Sequence, residues 1–145
     1  MNPLRSLVEY EQFVYTLQQR YASVRHSTLT VIRRGAGVAR LAGDMEIGSY
    51  RLAVREKLSF VGETGRIASY GYEVWHGSEK LYWYDSQAHP DDPVLAATHP
   101  HHKHIPPEIK HHRLPATDLS FTQPNLPFLI EEIEELLTRN EKVPS

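Results

Sequence analysis

The feature that most constrains the fold is a run of short strand-like segments, separated by tight chain reversals, between residues 26 and 85. The segments are rich in β-branched and aromatic residues, and the reversals fall at Gly35–Gly37, Gly48-Ser49, Gly62–Gly65 and Gly77-Ser78. Connections this short join antiparallel neighbours, because a parallel pair needs a much longer crossover. The pattern therefore predicts a curved antiparallel sheet of about five strands in meander order.

Helical periodicity flanks this region on both sides. Apolar residues recur at helical spacing over residues 4–22, where Asn2 can cap the helix and Pro3 fits its first position. Residues 126–139 predict a second, amphipathic helix. Its apolar stripe and the glutamates expected to face water are Leu129, Ile130, Ile133, Leu136 and Leu137, and Glu131, Glu132, Glu134 and Glu135.

The chain is long enough for one domain with a buried core, at 145 residues. Residues 88–125, between the sheet and the second helix, hold most of the prolines and are predicted to form a histidine- and proline-rich loop. We therefore expect a single α+β domain over residues 1–145, with the order helix, sheet, loop, helix.

Composition excludes several classes of site. The chain has no cysteine, so it has neither disulfides nor thiolate metal sites. Its formal net charge of −2 gives no global field that would attract a polyanion, so such a site must be a local patch. The N-terminus has no apolar run typical of a signal peptide, and no window approaches the length of a membrane span. We expect a cytoplasmic protein with no membrane partner.

One carboxylate falls on the strand face that should be buried. Alternation places Glu56 on the same face as Leu52, Val54 and Leu58. A carboxylate among apolar neighbours must find a partner or take up a proton. Two interpretations stay open: a structural one, in which Glu56 reaches solvent or bonds to Arg51 or to a neighbouring strand, and a functional carboxylate.

The segment THPHHKHIPPEIKHH, Thr98 to His112, contains six of the nine histidines. These are His99, His101, His102, His104, His111 and His112. In an extended conformation, the first two project to one side and the next two to the other. The same segment and the residue after it supply three cations: Lys103, Lys110 and Arg113. A general base, a general acid and a nearby cation are what metal-free RNA cleavage requires.

Two other interpretations of this loop stay open. Histidine and carboxylate ligands suit zinc or another divalent metal, and the candidate set is Asp85, His99, His101 and His104. The spacing is a weak metal signature, since the HExxH pattern is absent and the histidines alternate sides. The loop could instead be a polar, pH-sensitive surface that binds a protein partner without catalysis. In the metal-free interpretation no cofactor is expected.

The last strand-like segment, EKLYWYDSQAHPDD, runs directly into the loop. Tyr82 and Tyr84 share one face of this strand, and Trp83 and Asp85 the other. An aspartate at a strand end commonly starts a turn. Alternatively, Asp85 orients an imidazole, as carboxylates do in catalytic and metal sites. His89, a few residues further on, is a secondary candidate.

The segments LYWYDSQAHP and THPHHKH resemble the paired signature of the TumE-type family. The matching positions are Tyr84, Asp85, His89, Pro100, His101, His102, Lys103 and His104. The resemblance extends to the helix–meander–helix layout, although its specific part is residues 82–104. Many members carry Arg where this chain has Trp83, so Lys103 or Arg113 would have to contact a phosphate instead.

The resemblance implies the toxin of a two-gene toxin–antitoxin module, with a helix-turn-helix antitoxin as its partner. RNA is the expected substrate of a metal-independent endoribonuclease, and a homodimer stays open. Two of His101, His102 and His104 would act as base and acid. Lys103 would stabilise the phosphate, and the pair Tyr84 and Asp85 would orient the histidines.

Overall fold

A computed structural model describes residues 2–62, 64–86, 101–105, 113–116 and 118–142, with the backbone alone for residues 113–115 and 140–142. The helices are α1 (Leu7–Tyr15), α2 (Leu17–Arg20) and α3 (Leu126–Lys142). The strands are β1 (Val24–Ser27), β2 (Thr30–Gly35), β3 (Val38–Ile47), β4 (Tyr50–Ser59), β5 (Arg66–His76), β6 (Glu79–Asp85), β7 (His102–His104) and β8 (Arg113–Pro115). Within these ranges, no helix is both long and apolar enough to span a membrane.

All eight of these strands belong to one antiparallel sheet, in the order β1-β3-β4-β5-β6-β7-β8, with β2 also paired to β3. Strand β3 has two partners on one edge: β1 pairs with its C-terminal half and β2 with its N-terminal half. The α+β class and the antiparallel meander are confirmed.

The predicted strand number was too low, and residues 88–125 are not entirely a loop. Six strands, β1 to β6, lie between Val24 and Asp85, where about five were expected. Strands β7 and β8 lie inside the predicted loop and continue the sheet beyond β6. Each has only three residues, too few to show a strand period. Strand β7 is defined by its pairing with the open edge of β6, and β8 by its pairing with β7.

The helix predicted over residues 4–22 is divided. A 3₁₀ turn at Pro3–Arg5 comes first, and the Asn2 side chain caps it by accepting a hydrogen bond from the Leu4 amide at 2.9 Å, as predicted. Ser6 then interrupts the pattern, because its extended backbone and hydroxyl cap α1 through the Glu9 amide at 3.2 Å. A second break falls at Thr16, between α1 and α2.

The two faces of the sheet differ in character. The inner face carries Leu52, Val54 and Leu58, each at most 1% exposed, and packs against apolar side chains of the helices. The main helical contributors are Tyr10, Phe13, Leu129, Ile130 and Ile133. The outer face carries the alternate residues of the same strands, including Arg55 and Lys57. The predicted burial of this strand face and of the first three residues of the α3 stripe is confirmed.

Two of the four glutamates predicted to face water do not do so. Glu132 accepts hydrogen bonds from the hydroxyls of Tyr82 and Tyr84, each at 2.8 Å. Glu134 accepts one from Ser23 at 2.7 Å. The helical pattern could not reveal this, because the donors lie on β6 and in the turn before β1. A partly buried hydroxyl needs an acceptor, and α3 provides it.

Candidate functional site

The candidate site is assembled by the pairing of β6 with β7. In this antiparallel pair, Trp83 lies opposite His104, Tyr84 opposite Lys103, and Asp85 opposite His102. Because side chains alternate along each strand, Asp85, His102 and His104 share the outer face, and Lys103 lies on the inner face. We call the first three residues the Asp85–histidine cluster.

The Asp85 carboxylate lies between the two imidazoles. Its Oδ2 is 3.0 Å from Nε2 of His104, and its Oδ1 is 3.9 Å from Nδ1 of His102. Trp83 donates its indole N–H to Oδ2 at 3.3 Å, and its ring packs on His104 with centroids 4.8 Å apart. Both histidines are 2% exposed, whereas the Asp85 side chain is 21% exposed. The Asp85 side chain is thus the most exposed part of the cluster, although its Oδ1 is buried.

His101 occupies a different environment. Its Nδ1 shares a 2.5 Å hydrogen bond with the Tyr70 hydroxyl, and its ring lies 4.3 Å from that of Phe121, between centroids. Burial and, secondarily, the charge of Asp85 raise the pKa of Tyr70 well above its usual value. Tyr70 therefore stays protonated at neutral pH, and the His101 ring is held within an aromatic group.

Lys103 and Tyr84 are placed against α3, across the strand from Asp85. The Lys103 ammonium is 3.5 Å from Oε2 of Glu132 and 4.4 Å from the centroid of the Tyr82 ring. Burial, followed by the charge of Glu132, raises the pKa of Tyr84 well above its usual value. The structure therefore brings Asp85, His102 and the other cluster histidine together, but places the predicted phosphate-binding lysine on the opposite face.

The remaining predicted site residues are only partly described. His89, His99 and Lys110 lie outside the described residues, as do Pro100, His111 and His112. Arg113 lies opposite His104 in the β7–β8 pair. In the part of the chain that the structure describes, no group of three or more histidine, aspartate or glutamate side chains is arranged to hold a metal ion. The candidate metal set includes His99, so it cannot be assembled from these residues alone.

Arg55 is the residue at this site that the sequence analysis missed. One row across the outer face pairs Arg55 with Gly71, Gly71 with Asp85, and Asp85 with His102. Gly71 leaves room for the Arg55 side chain, since a Cβ at residue 71 would collide with its guanidinium. Alternation along β4 could have placed Arg55 on the outer face, but no sequence signal gives the two pairings that put it in the row of Asp85, with β5 between their strands.

Glu56 is a structural member of the inner face. It is 2% exposed and accepts hydrogen bonds from the hydroxyls of Tyr10 and Tyr72, each at 2.5 Å. Burial raises the pKa of Glu56 to about 7, with the two phenol hydrogen bonds acting in the opposite direction. Contact with solvent or with Arg51 was the wrong interpretation, since Arg51 pairs with Asp44 at 3.5 Å. A bond to a neighbouring strand, through Tyr72 on β5, was the right one.

Comparison with known proteins places this chain in a family. No curated protein and no solved structure matches the chain. A family model described as Toxin TumE matches residues 13–137, which include α2, the sheet and most of α3. That match confirms the resemblance carried by the Tyr-Asp and Pro-His-His-Lys-His motifs, and the chain belongs to the TumE toxin family.

Proposed function

We propose that this toxin is a metal-independent endoribonuclease whose reactive groups are those of the Asp85–histidine cluster. The observation that supports it is the placement of one carboxylate between two imidazoles on one face of the β6–β7 pair, at 3.0 and 3.9 Å. Two histidines provide a base and an acid, and a carboxylate between them stabilises whichever one is charged.

The proposed reaction is an internal transesterification of RNA. One neutral imidazole removes the proton of a ribose 2′-hydroxyl, and the 2′-oxygen forms a bond to the adjacent phosphorus. The bond from phosphorus to the 5′-oxygen breaks, and the second, charged imidazole gives its proton to that leaving oxygen. The products are a 2′,3′-cyclic phosphate and a 5′-hydroxyl. Proton transfer between the two imidazoles is balanced, so no oxidant, reductant or cofactor is needed.

The burial of the two cluster histidines restricts how RNA can reach them. Since His102 and His104 are 2% exposed, RNA binding must open the outer face of β7 before a phosphate reaches them. The Nδ1–Oδ1 separation of 3.9 Å at His102 is longer than a hydrogen bond. Catalytic hydrogen bonds are often long without substrate and shorten in the reacting complex.

The first test is cleavage of single-stranded RNA by the untagged protein, with and without EDTA, across a range of pH. A base and an acid with opposite protonation requirements predict a bell-shaped rate, with its optimum between about pH 6 and 7.5. We expect 2′,3′-cyclic phosphate ends and full activity in EDTA. Activity that EDTA abolishes and zinc or manganese restores, or products with 5′-phosphate ends, would replace this proposal with a metal-dependent hydrolase.

The second test is Asp85→Asn. The amide keeps the shape of the side chain but removes the charge that stabilises an imidazolium, so we expect the cleavage rate to fall by up to about 10⁴-fold. The matched control is Asp44→Asn, which removes a carboxylate from the surface pair with Arg51 and should leave the rate unchanged. A folded Asp85→Asn protein with wild-type activity would exclude a catalytic role for Asp85.

A further inference from the structure

A cleft of about 300 Å³ lies on the outer face where β2, β3, β4 and β5 meet. Four cationic side chains line it: Arg34, Arg40, Arg55 and Lys57. Two rows of paired residues explain their convergence. Arg40 pairs with Lys57, and Ala42 pairs with Arg55, so adjacent positions of β3 and β4 bring cations from both strands together. We call this surface the cationic cleft.

Within the described part of the chain, the positive charges of the cationic cleft are not balanced by salt bridges. None of its four cations forms a salt bridge with a described residue. Of the nearby outer-face carboxylates, Asp44 pairs with Arg51 and Glu73 with Lys80 at 2.9 Å. Burial acts to raise the pKa of Glu73, its hydrogen bonds with Lys80 and Trp75 lower it, and the charge of Arg55 is only a smaller contribution to the net lowering. Glu56 also lines the cleft but is 2% exposed and hydrogen-bonded to two phenols. A chain with a formal net charge of −2 therefore concentrates positive charge at one place.

The cationic cleft is continuous with the Asp85–histidine cluster. Gly71 lines the cleft, lies beneath the Arg55 side chain and pairs with Asp85. Arg55 on β4 and His102 on β7 are three strand spacings apart along this row. Their backbones are therefore roughly 14 Å apart at the usual strand spacing. A flexible polyanion lying along this row would reach from the cations to Asp85, next to the two buried imidazoles.

We propose that the cationic cleft binds the phosphate backbone of single-stranded RNA and guides it across Gly71 to the Asp85–histidine cluster. This inference rests on the proposed nuclease function and adds a substrate-binding surface to it. Unpaired arginine and lysine side chains in a groove bind phosphates without reading the bases.

The experiment measures binding apart from cleavage. The probe is a fluorescent 2′-O-methyl RNA of about 12 nucleotides, a length within the usual site size of single-strand binders. It has no 2′-hydroxyl, so the proposed reaction cannot cut it. The test protein is Arg40→Ala/Lys57→Ala, and the matched control is Arg20→Ala/Arg139→Ala. The control removes the same formal charge from the exposed surfaces of α2 and α3.

We expect the cleft variant to bind the probe about tenfold or more weakly near physiological salt, and the control variant to bind like the wild type. The slope of log affinity against log salt should fall in magnitude by about 1 to 2, because two phosphate contacts are lost. Equal weakening in both double variants, absence of binding by the wild-type protein, or equal affinity for duplex DNA would each overturn the proposal.

Cleavage of unmodified RNA by the same proteins separates the two proposals. Binding that depends on the cleft, together with no cleavage of RNA by the wild-type protein, would overturn the nuclease function and leave the cleft as an RNA-binding site. Wild-type cleavage that the cleft variant retains in full, at RNA concentrations below saturation, would overturn the cleft and leave the nuclease.

Discussion

Glu56 is buried on the inner face between the hydroxyls of Tyr10 and Tyr72, and its pKa is raised from 4.5 to about 7. The protonated carboxyl is therefore favoured by the folded state. Its stabilising contribution is complete below about pH 4.5 and is lost as the pH rises through about 7. At higher pH, ionising Glu56 costs free energy in the folded protein but not in the unfolded chain.

The variant Glu56→Gln tests this at the scale of one residue. It removes the titrating group, so the free energy of unfolding of the wild type should decline relative to the variant between pH 4.5 and 7, by on the order of 3 kcal/mol. Urea unfolding of both proteins at several pH values measures the difference. The contributions of other titrating groups to the free energy of unfolding are shared by both proteins and cancel in that comparison. An offset between the two proteins that is constant with pH would contradict the raised pKa.

At the scale of elements, Glu132 joins α3 to the strands that carry the site. It accepts hydrogen bonds from Tyr82 and Tyr84 on β6 and lies 3.5 Å from the ammonium of Lys103 on β7. The two tyrosines are 8% and 3% exposed, so water does not easily replace this acceptor. The inner side of the β6–β7 pair is therefore fixed to the helix, while the outer side carries the Asp85–histidine cluster.

We expect Glu132→Ala to lower the free energy of unfolding by about 2–4 kcal/mol, because two buried hydroxyls lose a charged acceptor. Its neighbour Glu131 is exposed, so Glu131→Ala on the same helix should change stability by less than about 0.5 kcal/mol. Chemical unfolding of the two variants beside the wild type measures both. Equal, small effects would mean that α3 is held by its apolar stripe alone.

The elements differed in how far they could be predicted, for a physical reason. The burial of Leu52, Val54 and Leu58 and the stripe of α3 follow from periodicity within one segment. Strand β7 could not be found this way. Three residues carry no period, and its existence depends on the edge of β6, which is near in space and distant in sequence. The capping role of Ser6 had a local signal, since serine precedes Glu9 by three residues.

At the scale of the whole molecule, the candidate site depends on the register in which the strands pair. The sequence predicted Asp85, His102 and His104 as candidate site residues, and alternation placed both histidines on one side. It could not place Lys103 beside Glu132, nor Arg55 in the row of Asp85, because these positions depend on pairings across several strands.

Toxicity in cells tests the molecule as a whole. Expression of the chain alone should arrest growth, and His104→Ala or the more conservative His104→Gln should relieve the arrest at an unchanged protein level. The matched control is His26→Gln, at an exposed histidine on β1, which should remain toxic. Growth rate and immunoblotting after induction measure the effect, and circular dichroism checks the fold. Arrest by all three variants would exclude the Asp85–histidine cluster as the cause of toxicity.

The alternation of His102, Lys103 and His104 between two faces has a genetic consequence. In a selection for cells that survive the toxin, escape mutations in this triplet should fall into two groups. Conservative changes at the two buried histidines, such as His104→Gln, should leave soluble protein that no longer kills. Changes at Lys103, or at its partner Glu132, should act by weakening the attachment to α3 and so lower the amount of protein. Mutations in adjacent codons would thus abolish the toxicity of the protein by different routes. Sequencing of survivors together with immunoblotting can separate the two routes.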